Sequence, residues 1–312
     1  MIFALDTFAD KEKYSKLTAS FRAAPWRLPA IWRCSIMPST MSEQQEDRKS
    51  LPSTLYTKEY FLTACEGYDE FIASEGAHLS RRLRDAFAMA EIQPGMRVLD
   101  VGCGRGEIVR HCMEHDIEAY GIDYAAVAAE MTREVITGMR MALNRPVKAG
   151  VCRSDAKFLP FPTGYFDRVL MFDVVEHLYP WELQQALLDI GRVLTPHGRL
   201  VIHTAPNRWY DTYAYPWVRR VRTVLGQGDN YPADPRAITP VNQDVHVNEQ
   251  DLLSMHRTLR RAGFRGKVWL DSPPQNRQEN ALMASLRRLA FDVPPFRWFF
   301  EREVFAVAWK DA

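Results

Sequence analysis

The middle of the chain alternates between short apolar segments and longer segments in which apolar residues recur at helical spacing. The short segments predict five strands, at residues 96–101, 119–123, 147–152, 165–172 and 198–204. The longer segments predict helices at residues 105–115, 124–141 and 181–194. Strands and helices that alternate in this way form βαβ units, in which the strands are parallel and covered on both faces. The pattern therefore predicts an α/β fold built on a parallel sheet.

This rhythm changes on both sides of the alternating region. Residues 55–92 predict helix, with an apolar stripe through Leu79, Leu83 and Phe87. After the fifth strand, residues 205–246 are rich in aromatic residues and prolines, and they are too many for a simple connection. We therefore expect an inserted cap there. A further helix at residues 248–263 and two strands at residues 264–270 and 301–309 complete the prediction.

Composition excludes several classes of protein. Of the 312 residues, 46% are hydrophobic, which is enough for a full core, and the formal net charge of +1 gives no reason to expect nucleic-acid binding. The five cysteines are irregularly spaced and form no CxxC pair, which argues against a disulfide framework and a zinc site. No apolar run is long enough for a membrane-spanning helix. We expect a cytoplasmic protein.

The first part of the chain differs from the rest. No acidic residue occurs between Lys13 and Ser42, whereas several basic ones do, a composition weakly like that of an organelle transit segment. A polar stretch that begins at Met41 resembles an ordinary N-terminal lead-in. We expect residues 1–50 to be a disordered extension that adds little to the core, and residues 51–312 to form a single domain.

A glycine-rich turn follows the first predicted strand, with the spacing Gly102-x-Gly104-x-Gly106. Glycines allow a ligand to approach the backbone closely, and the N-terminus of the next helix offers free N–H groups. Asp123 ends the second strand, where a carboxylate can accept hydrogen bonds from a ribose diol. Nicotinamide dinucleotides and S-adenosylmethionine are both bound in this way, so these features alone leave a dehydrogenase and a methyltransferase open.

The segment from Asp100 to Gly106 resembles the first motif of class I S-adenosylmethionine-dependent methyltransferases of the broad small-molecule type, similar to methyltransferase type 11. Further segments resemble later motifs of that family in the same order: 123, 154–156, 159–167, 172–178 and 194–200. The resemblance implies a Rossmann-like, doubly wound sheet of seven strands with helices on both faces. It also implies that the last strand, near residues 301–309, is antiparallel and that the cap follows strand five.

The resemblance implies that the cofactor is S-adenosylmethionine and that the following residues bind it: Asp100, Gly102, Cys103, Gly104, Asp123, Tyr124, Asp155, Ala156 and Asp173. In the family, the residue at Asp123 binds the ribose hydroxyls and the residue at Asp155 reads the adenine amino group. Asp123 can also cap the helix that follows it.

His177 is the candidate catalytic residue. It follows strand four, where a methyl acceptor should approach, and an imidazole can remove a proton from an oxygen or nitrogen acceptor. The alternative is that His177 only packs beneath a loop. Asp173, Glu176 and His177 also resemble a segment of the ubiquinone-pathway O-methyltransferases that is associated with a divalent ion. We nevertheless predict no metal.

The cap is the expected source of acceptor specificity. Its flat aromatic rings suit a sugar, an aromatic ring or an isoprenoid, and they are Trp209, Tyr210, Tyr213, Tyr215 and Trp217. Three arginines follow, so we also expect a weak contact with a membrane surface. The predicted function is methyl transfer to an oxygen or nitrogen atom of a small molecule or of a glycan or lipid precursor. A nicotinamide-dependent oxidoreductase and a non-catalytic binding module are the alternatives.

Overall fold

The computed structural model describes residues 50–311 except 64, 66, 75, 240, 273–284, 286, 287 and 290. The described residues belong to one compact unit. The predicted disordered extension, residues 1–50, lies almost entirely outside the described residues. In the part of the chain that is described, no helix is both long and apolar enough to cross a membrane.

Seven strands form one mixed sheet in the order β3-β2-β1-β4-β5-β7-β6. The strands are β1 (Arg97–Val101), β2 (Glu118–Asp123), β3 (Ala149–Arg153), β4 (Phe166–Phe172), β5 (Leu194–Thr204), β6 (Phe264–Asp271) and β7 (Glu303–Lys310). The first five strands are parallel, and β7 runs antiparallel between β5 and β6. This arrangement confirms the predicted Rossmann-like sheet and its antiparallel last strand.

The order of the strands places the glycine-rich turn at the centre of the sheet. Strand β1 lies between β2 and β4, and Val101 at its end is opposite Ile122 and Met171. These strands are almost wholly buried, as their continuous apolar sequences require. The chain order reverses beside β1, and ligands bind at such switch points, outside the carboxyl ends of the strands. The loops after β1, β2 and β4 therefore face one site.

Helices cover the sheet, and some of them begin beside a side chain that caps the first turn. They are α1 (Lys58–Thr63), α2 (Tyr68–Ser74), α3 (Arg81–Ala88), α4 (Glu107–Glu114), α5 (Ala126–Leu143), α6 (Pro180–Val193), α7 (Tyr215–Val224), α8 (Asn242–Val245), α9 (Leu252–Arg261) and α10 (Phe296–Phe300). Asp251 caps α9 by accepting from the Ser254 N–H, and Glu182 accepts from the Tyr179 N–H at the start of α6. Each bond satisfies a backbone group at a helix end.

The predicted helix at residues 55–92 is instead three short helices, α1 to α3. Gly67 and Gly76 separate them, each with a φ of +76°, a conformation that a right-handed helix does not contain. These two glycines therefore interrupt the helical spacing of the apolar residues. The boundary before β5 also differs, because the strand begins at Leu194 rather than at residue 198.

The inserted segment after β5 is helical and irregular. It contains a π-helical turn (Tyr210–Ala214), α7, short 3-10 turns and α8. Its aromatic residues do not share one face. Tyr215 is buried and donates a hydrogen bond to the Pro232 carbonyl. Trp209, Tyr213 and Trp217 line an outer groove with residues of α10, because side chains on a helical turn point to different sides.

Candidate cofactor and acceptor site

The turn after β1 has a backbone that requires glycine. Gly102, Gly104 and Gly106 all have positive φ, at +78°, +47° and +84°. A Cβ on Gly102 would lie 2.3 Å from the Cγ2 atom of Val174, which follows β4. The turn is tied to β2 because the N–H groups of Gly102 and Cys103 both donate to the Ile122 carbonyl. The positive φ values, together with the close approach of Val174 to Gly102 and of Thr132 to Gly106, explain why these positions carry no side chain.

Buried carboxyl groups line the wall beneath the glycine turn. Burial, followed by the proximity of Asp123 and Glu107, raises the pKa of Asp100 to about 8. Burial also raises the pKa of Asp123 to about 6, although backbone N–H groups oppose the shift. Asp123 Oδ1 accepts from the Ala125 N–H at 2.8 Å, and Oδ2 accepts from the Gly104 N–H at 3.1 Å. The two bonds fix the carboxylate at the end of β2 and leave each oxygen with a second lone pair.

The neighbouring wall comes from the loop after β3. Asp155 accepts from the Lys157 N–H at 2.9 Å and pairs with the Lys157 ammonium at 2.8 Å. The same ammonium bonds to Glu182 at 2.6 Å, so Asp155 is held by a chain of charges. Ala156 is nearly buried, and Tyr124 is partly exposed at the same part of the cavity wall.

The first two helices close the cavity from the N-terminal side. Tyr56, Tyr60 and Tyr68 all line it. Arg105, in the glycine turn, anchors these helices: it donates to the Phe61 carbonyl at 3.2 Å, and its guanidinium lies 4.9 Å from the centre of the Phe71 ring. The Arg105 side chain is also paired with Glu107 at 2.8 Å and is buried. Arg105 in the glycine turn therefore helps to hold the two helices that cover the cavity.

Asp173 ends β4 in a left-handed conformation, with φ +54°, and belongs to a charge network. It contacts Arg82 at 3.2 Å, and the Nδ1 atom of His203 lies 2.8 Å from its Oδ1. Glu303 of β7 extends the network, at 3.6 Å from Arg82. Burial acts to raise the pKa of Asp173, but Arg82 and His203 outweigh it and hold this pKa below the ordinary value. The carboxylate therefore stays charged. His203 itself does not line the cavity.

A second polar cluster lies beyond Asp173 and joins the loop after β4 to the cap. The candidate ligand atoms of Glu176, His177 and His246 lie within 4.8 Å of one another. The Glu176 carbonyl accepts from the N–H groups of Val247 and Asn248, which holds the cap against this loop. Among the residues that the structure describes, these three side chains, rather than Asp173 with its neighbours, form the group that could hold a metal ion.

The protonation of this cluster follows from burial. Burial, followed by repulsion from His246, lowers the pKa of His177 to about 3, so its ring is neutral. Its Nδ1 lies 3.1 Å from the Val245 carbonyl, which only accepts, so Nδ1 carries the proton and Nε2 is an acceptor. Burial, followed by Asp173, raises the pKa of Glu176 to about 6. Glu176 Oε2 accepts from the Thr204 hydroxyl at 2.7 Å.

One cavity of about 820 Å³ connects these features. It is lined by His177 and by all nine residues predicted to bind the cofactor: Asp100, Gly102, Cys103, Gly104, Asp123, Tyr124, Asp155, Ala156 and Asp173. Its volume falls within the range of ligand sites, which is about 300–1,000 Å³. The structure thus brings the ten residues together, and their roles stay predictions. Sequence reasoning missed Arg82, which comes from a helix remote in the chain and matches no motif.

The cap contributes a polar wall to the cavity. Of the predicted cap aromatics, only Tyr210 lines it, together with Asp211 and His246. Within the described part of the chain, Asp211 Oδ2 and His246 Nδ1 are buried without a hydrogen-bond partner. Burial, followed by Glu249, raises the pKa of Asp211 to about 7. This end of the cavity therefore suits a polar group more than a flat apolar one.

Comparisons with known proteins match the part of the chain that contains the glycine turn. Residues 99–202 match the family described as "Methyltransferase domain". The chain is 26% identical over 131 residues to the cyclopropane-fatty-acyl-phospholipid synthase of Escherichia coli K12, an alignment that covers 42% of this chain and 31% of that protein. The chain therefore spans about a third of that relative.

A second relative is covered over most of its length. The chain is 24% identical over 219 residues to the ubiquinone/menaquinone biosynthesis C-methyltransferase UbiE of Paraburkholderia xenovorans, covering 66% of this chain and 83% of that protein. A solved chain from the complex between the Haloferax volcanii Trm112 methyltransferase activator and a methyltransferase has the same fold, with a TM-score of 0.51 and 14% identity. That alignment covers 81% of this chain and 98% of the other. The family match over residues 99–202, the strand order and the glycine-rich turn after β1 together identify a methyltransferase domain in this part of the chain.

Proposed function

We propose that this chain transfers the methyl group of S-adenosylmethionine to an oxygen or nitrogen atom of a small molecule or of a glycan or lipid precursor. The observation that carries the proposal is the single cavity that runs from the glycine turn and Asp123 to Glu176, His177 and His246. Such a cavity has room for a donor and an acceptor side by side. Holding the two in line is the main task of the protein in methyl transfer.

The residues around the glycine turn fit S-adenosylmethionine. The positive φ values leave the backbone open to close approach, and Asp123 is fixed with lone pairs to spare for a ribose diol. The carboxylate of Asp123, which is charged above a pH of about 6, also suits a cofactor that carries positive charge. Asp155 and Ala156 would lie beside the adenine ring, and Gly102 and Gly104 beside the rest of the cofactor. When bound, the cofactor supplies a methyl group that is already activated on a sulfonium.

The polar cluster at the other end can receive the proton that an oxygen or nitrogen acceptor must lose. His177 presents an unprotonated Nε2, but its low pKa makes it a weak base. Glu176, with a pKa of about 6, is the stronger base of the two. We infer that Nε2 of His177 accepts a hydrogen bond from the substrate group to be methylated and orients that group. The proton that the group loses is then shared with Glu176.

The unpartnered atoms of the cap favour an acceptor that carries hydroxyl or amino groups. A hydroxyl can both donate to Asp211 and accept from His246, which would satisfy two buried atoms at once. Sugars and other polyols have this chemistry. The names of the relatives indicate alternatives: a lipid acceptor, or a carbon atom of a quinone precursor. Methylation at carbon is the second candidate, because it too requires a base.

Calorimetric titration tests the cofactor. We expect S-adenosylhomocysteine to bind and NAD not to bind, since the cavity offers carboxyl groups where a pyrophosphate would need donors. Binding of NAD without S-adenosylhomocysteine would overturn the proposal in favour of an oxidoreductase. Labelled methyl transfer to a panel of sugar, lipid and phenolic acceptors then distinguishes an enzyme from a non-catalytic binding module.

Substitution of His177 tests the acceptor end of the site. We expect His177→Ala to lower kcat by about 10²-fold or more while changing the affinity for S-adenosylhomocysteine less than about threefold. His197→Ala, at an exposed position in the turn within β5, is the matched control and should change neither. Equal losses of turnover and cofactor affinity in the His177 variant would remove its catalytic role and leave a structural one.

A further inference from the structure

The outer side of the cap presents an apolar face that the described part of the chain does not cover. Tyr213, Trp217, Val221 and Val224 recur at helical spacing along the π-helical turn and α7. Their exposed fractions are 56%, 64%, 54% and 87%. We call these four residues the cap face. Contiguous exposed apolar residues of this kind mark an interaction surface in a protein that otherwise buries its large side chains.

The cap face continues into a groove formed with α10. Trp209, Tyr213 and Trp217 line this groove with Phe296 and Phe299. The Phe299 ring lies 5.7 Å from the ring of Trp209 and 5.5 Å from that of Tyr213, centre to centre. These contacts hold the cap side of the groove against α10. Because the aromatic rings are packed into a fixed shape, the surface does not depend on a disordered segment.

The charge beside the cap face has one sign. Helix α7 contains Arg219, Arg220 and Arg222 and no acidic residue. None of the three pairs with a carboxylate among the residues that the structure describes: Arg219 donates to the Tyr231 carbonyl and Arg222 to the Gln227 amide oxygen. The guanidinium of Arg220 lies 5.0 Å from the centre of the Trp217 ring, so apolar and cationic groups are adjacent. Positive charge next to exposed Trp and Val complements an anionic lipid surface.

We propose that the cap face docks on an anionic membrane surface, with the apolar side chains entering the interface and the arginines of α7 contacting lipid headgroups. A partner protein would have to supply both an apolar surface and fixed negative charge, whereas an anionic bilayer supplies both everywhere. The π-helical turn connects this surface with the reaction, since Tyr210 and Asp211 on its other side line the main cavity. Docking therefore brings the acceptor end of the cavity close to the membrane.

The proposal deepens the proposed function, because it identifies where the acceptor is met, but its test is independent of methyl transfer. The full-length chain is mixed with phosphatidylcholine vesicles that contain either about 30% phosphatidylglycerol or no anionic lipid, and flotation measures binding. We expect binding to the anionic vesicles, weaker binding in high salt, and little binding to phosphatidylcholine alone. Failure of the chain to bind anionic vesicles overturns the proposal.

Variants with matched controls assign the binding to the cap face. Trp217→Ser combined with Val221→Ser should lower partition to anionic vesicles by about tenfold or more, and Arg220→Glu should lower it too. The controls are Met141→Ser with Leu188→Ser, which removes two exposed apolar side chains elsewhere, and Arg257→Glu on α9. The affinity for S-adenosylhomocysteine reports that each variant is folded. Vesicle binding that is equal in the cap-face and control variants overturns the assignment.

Light scattering tests whether the cap face is instead occupied by a second copy of this chain. If the cap face instead joined two copies of this chain, the chain would be a dimer that the Trp217→Ser, Val221→Ser variant converts to a monomer. That outcome overturns the membrane proposal. A cap-face variant that loses vesicle binding but keeps its mass and its cofactor affinity supports it, even if no methyl acceptor is found.

Discussion

Single positions decide whether the cofactor end of the cavity can form. Gly102 combines two constraints, a positive φ and a Cβ position only 2.3 Å from the side chain of Val174. Val174 is β-branched and has few alternative rotamers, so it cannot move aside easily. The glycine is therefore required both by the conformation of the turn and by the space between two loops.

We expect Gly102→Ala to lower the free energy of unfolding by more than the ~1–2 kcal/mol that a left-handed alanine costs, and to weaken S-adenosylhomocysteine binding by about tenfold or more. The matched control is Gly226→Ala, since Gly226 has a φ of +72° but no atom within 4 Å of its Cβ position. Gly226→Ala should lower the free energy of unfolding only by the cost of a left-handed alanine, and it should leave the affinity for S-adenosylhomocysteine unchanged. Urea denaturation and calorimetry measure both. Equal effects at the two positions would contradict the contact with Val174.

The buried carboxyl of Asp100 makes stability depend on pH. Burial, Asp123 and Glu107 raise its pKa to about 8, from an ordinary value of 3.8. Between these values the folded state keeps a proton that the unfolded state has released. Because the folded state binds more protons, the free energy of unfolding falls as pH rises from about 4 to 8.

We expect Asp100→Asn to remove this dependence on pH. Between pH 5 and pH 8, the free energy of unfolding of the variant should therefore rise by at least about 1 kcal/mol relative to that of the original chain. Asp292→Asn, at an exposed position, is the control and should leave the slope unchanged. Urea denaturation at several pH values gives the slopes. If the Asp100 variant and the original chain kept parallel slopes, the carboxyl would be ionised throughout this range.

At the level of elements, the cover over the cofactor depends on one side chain. Arg105 bridges the Phe61 carbonyl and the Glu107 carboxylate and lies over the Phe71 ring. A lysine keeps the charge but cannot make these contacts together, because it lacks the planar fork of a guanidinium. The helices α1 and α2 should then open more often.

We expect Arg105→Lys to raise the Kd for S-adenosylhomocysteine by about tenfold and to speed amide exchange in residues 58–74. Arg133→Lys is the control, since Arg133 forms an exposed pair with Glu130 on α5, where a lysine can replace it. Hydrogen exchange and calorimetry measure the two effects. Unchanged exchange in residues 58–74 would show that the helices do not depend on Arg105.

The sequence predicted those parts of the fold and site that are local in the chain. Strand–turn–helix patterns and the glycine spacing lie within short segments, and so β1 to β5 and the turn at Gly102 were found. The network of Asp173, Arg82, His203 and Glu303 joins residues far apart in the chain, which no spacing rule reveals. The positions of the aromatic rings in the cap could not be predicted for a different reason, because composition does not say which side of a helical turn a ring occupies.

At the level of the whole molecule, two surfaces of the cap have different chemistry. The inner side presents Asp211 and His246 to the cavity, and the outer side presents Trp217 and Val221 to solvent. A segment that only filled space would not need both. The segment from β1 to β5 thus carries the glycine turn and the residues predicted to bind the cofactor, whereas the segment inserted after β5 carries the cap face and the polar wall of the cavity.

The position of β7 has a consequence for how the protein is made. Among the described strands, the sheet partner of β6 is β7, which follows it in the chain and lies between it and β5. On a ribosome, the parallel strands and the glycine turn emerge well before this partner. Until β7 arrives, Glu303 cannot join Arg82, and the edge of β5 stays open to other chains. The glycine turn of the nascent protein would therefore form first. The exposed edge of β5 would be protected from pairing with other chains only once β7 has added to the sheet.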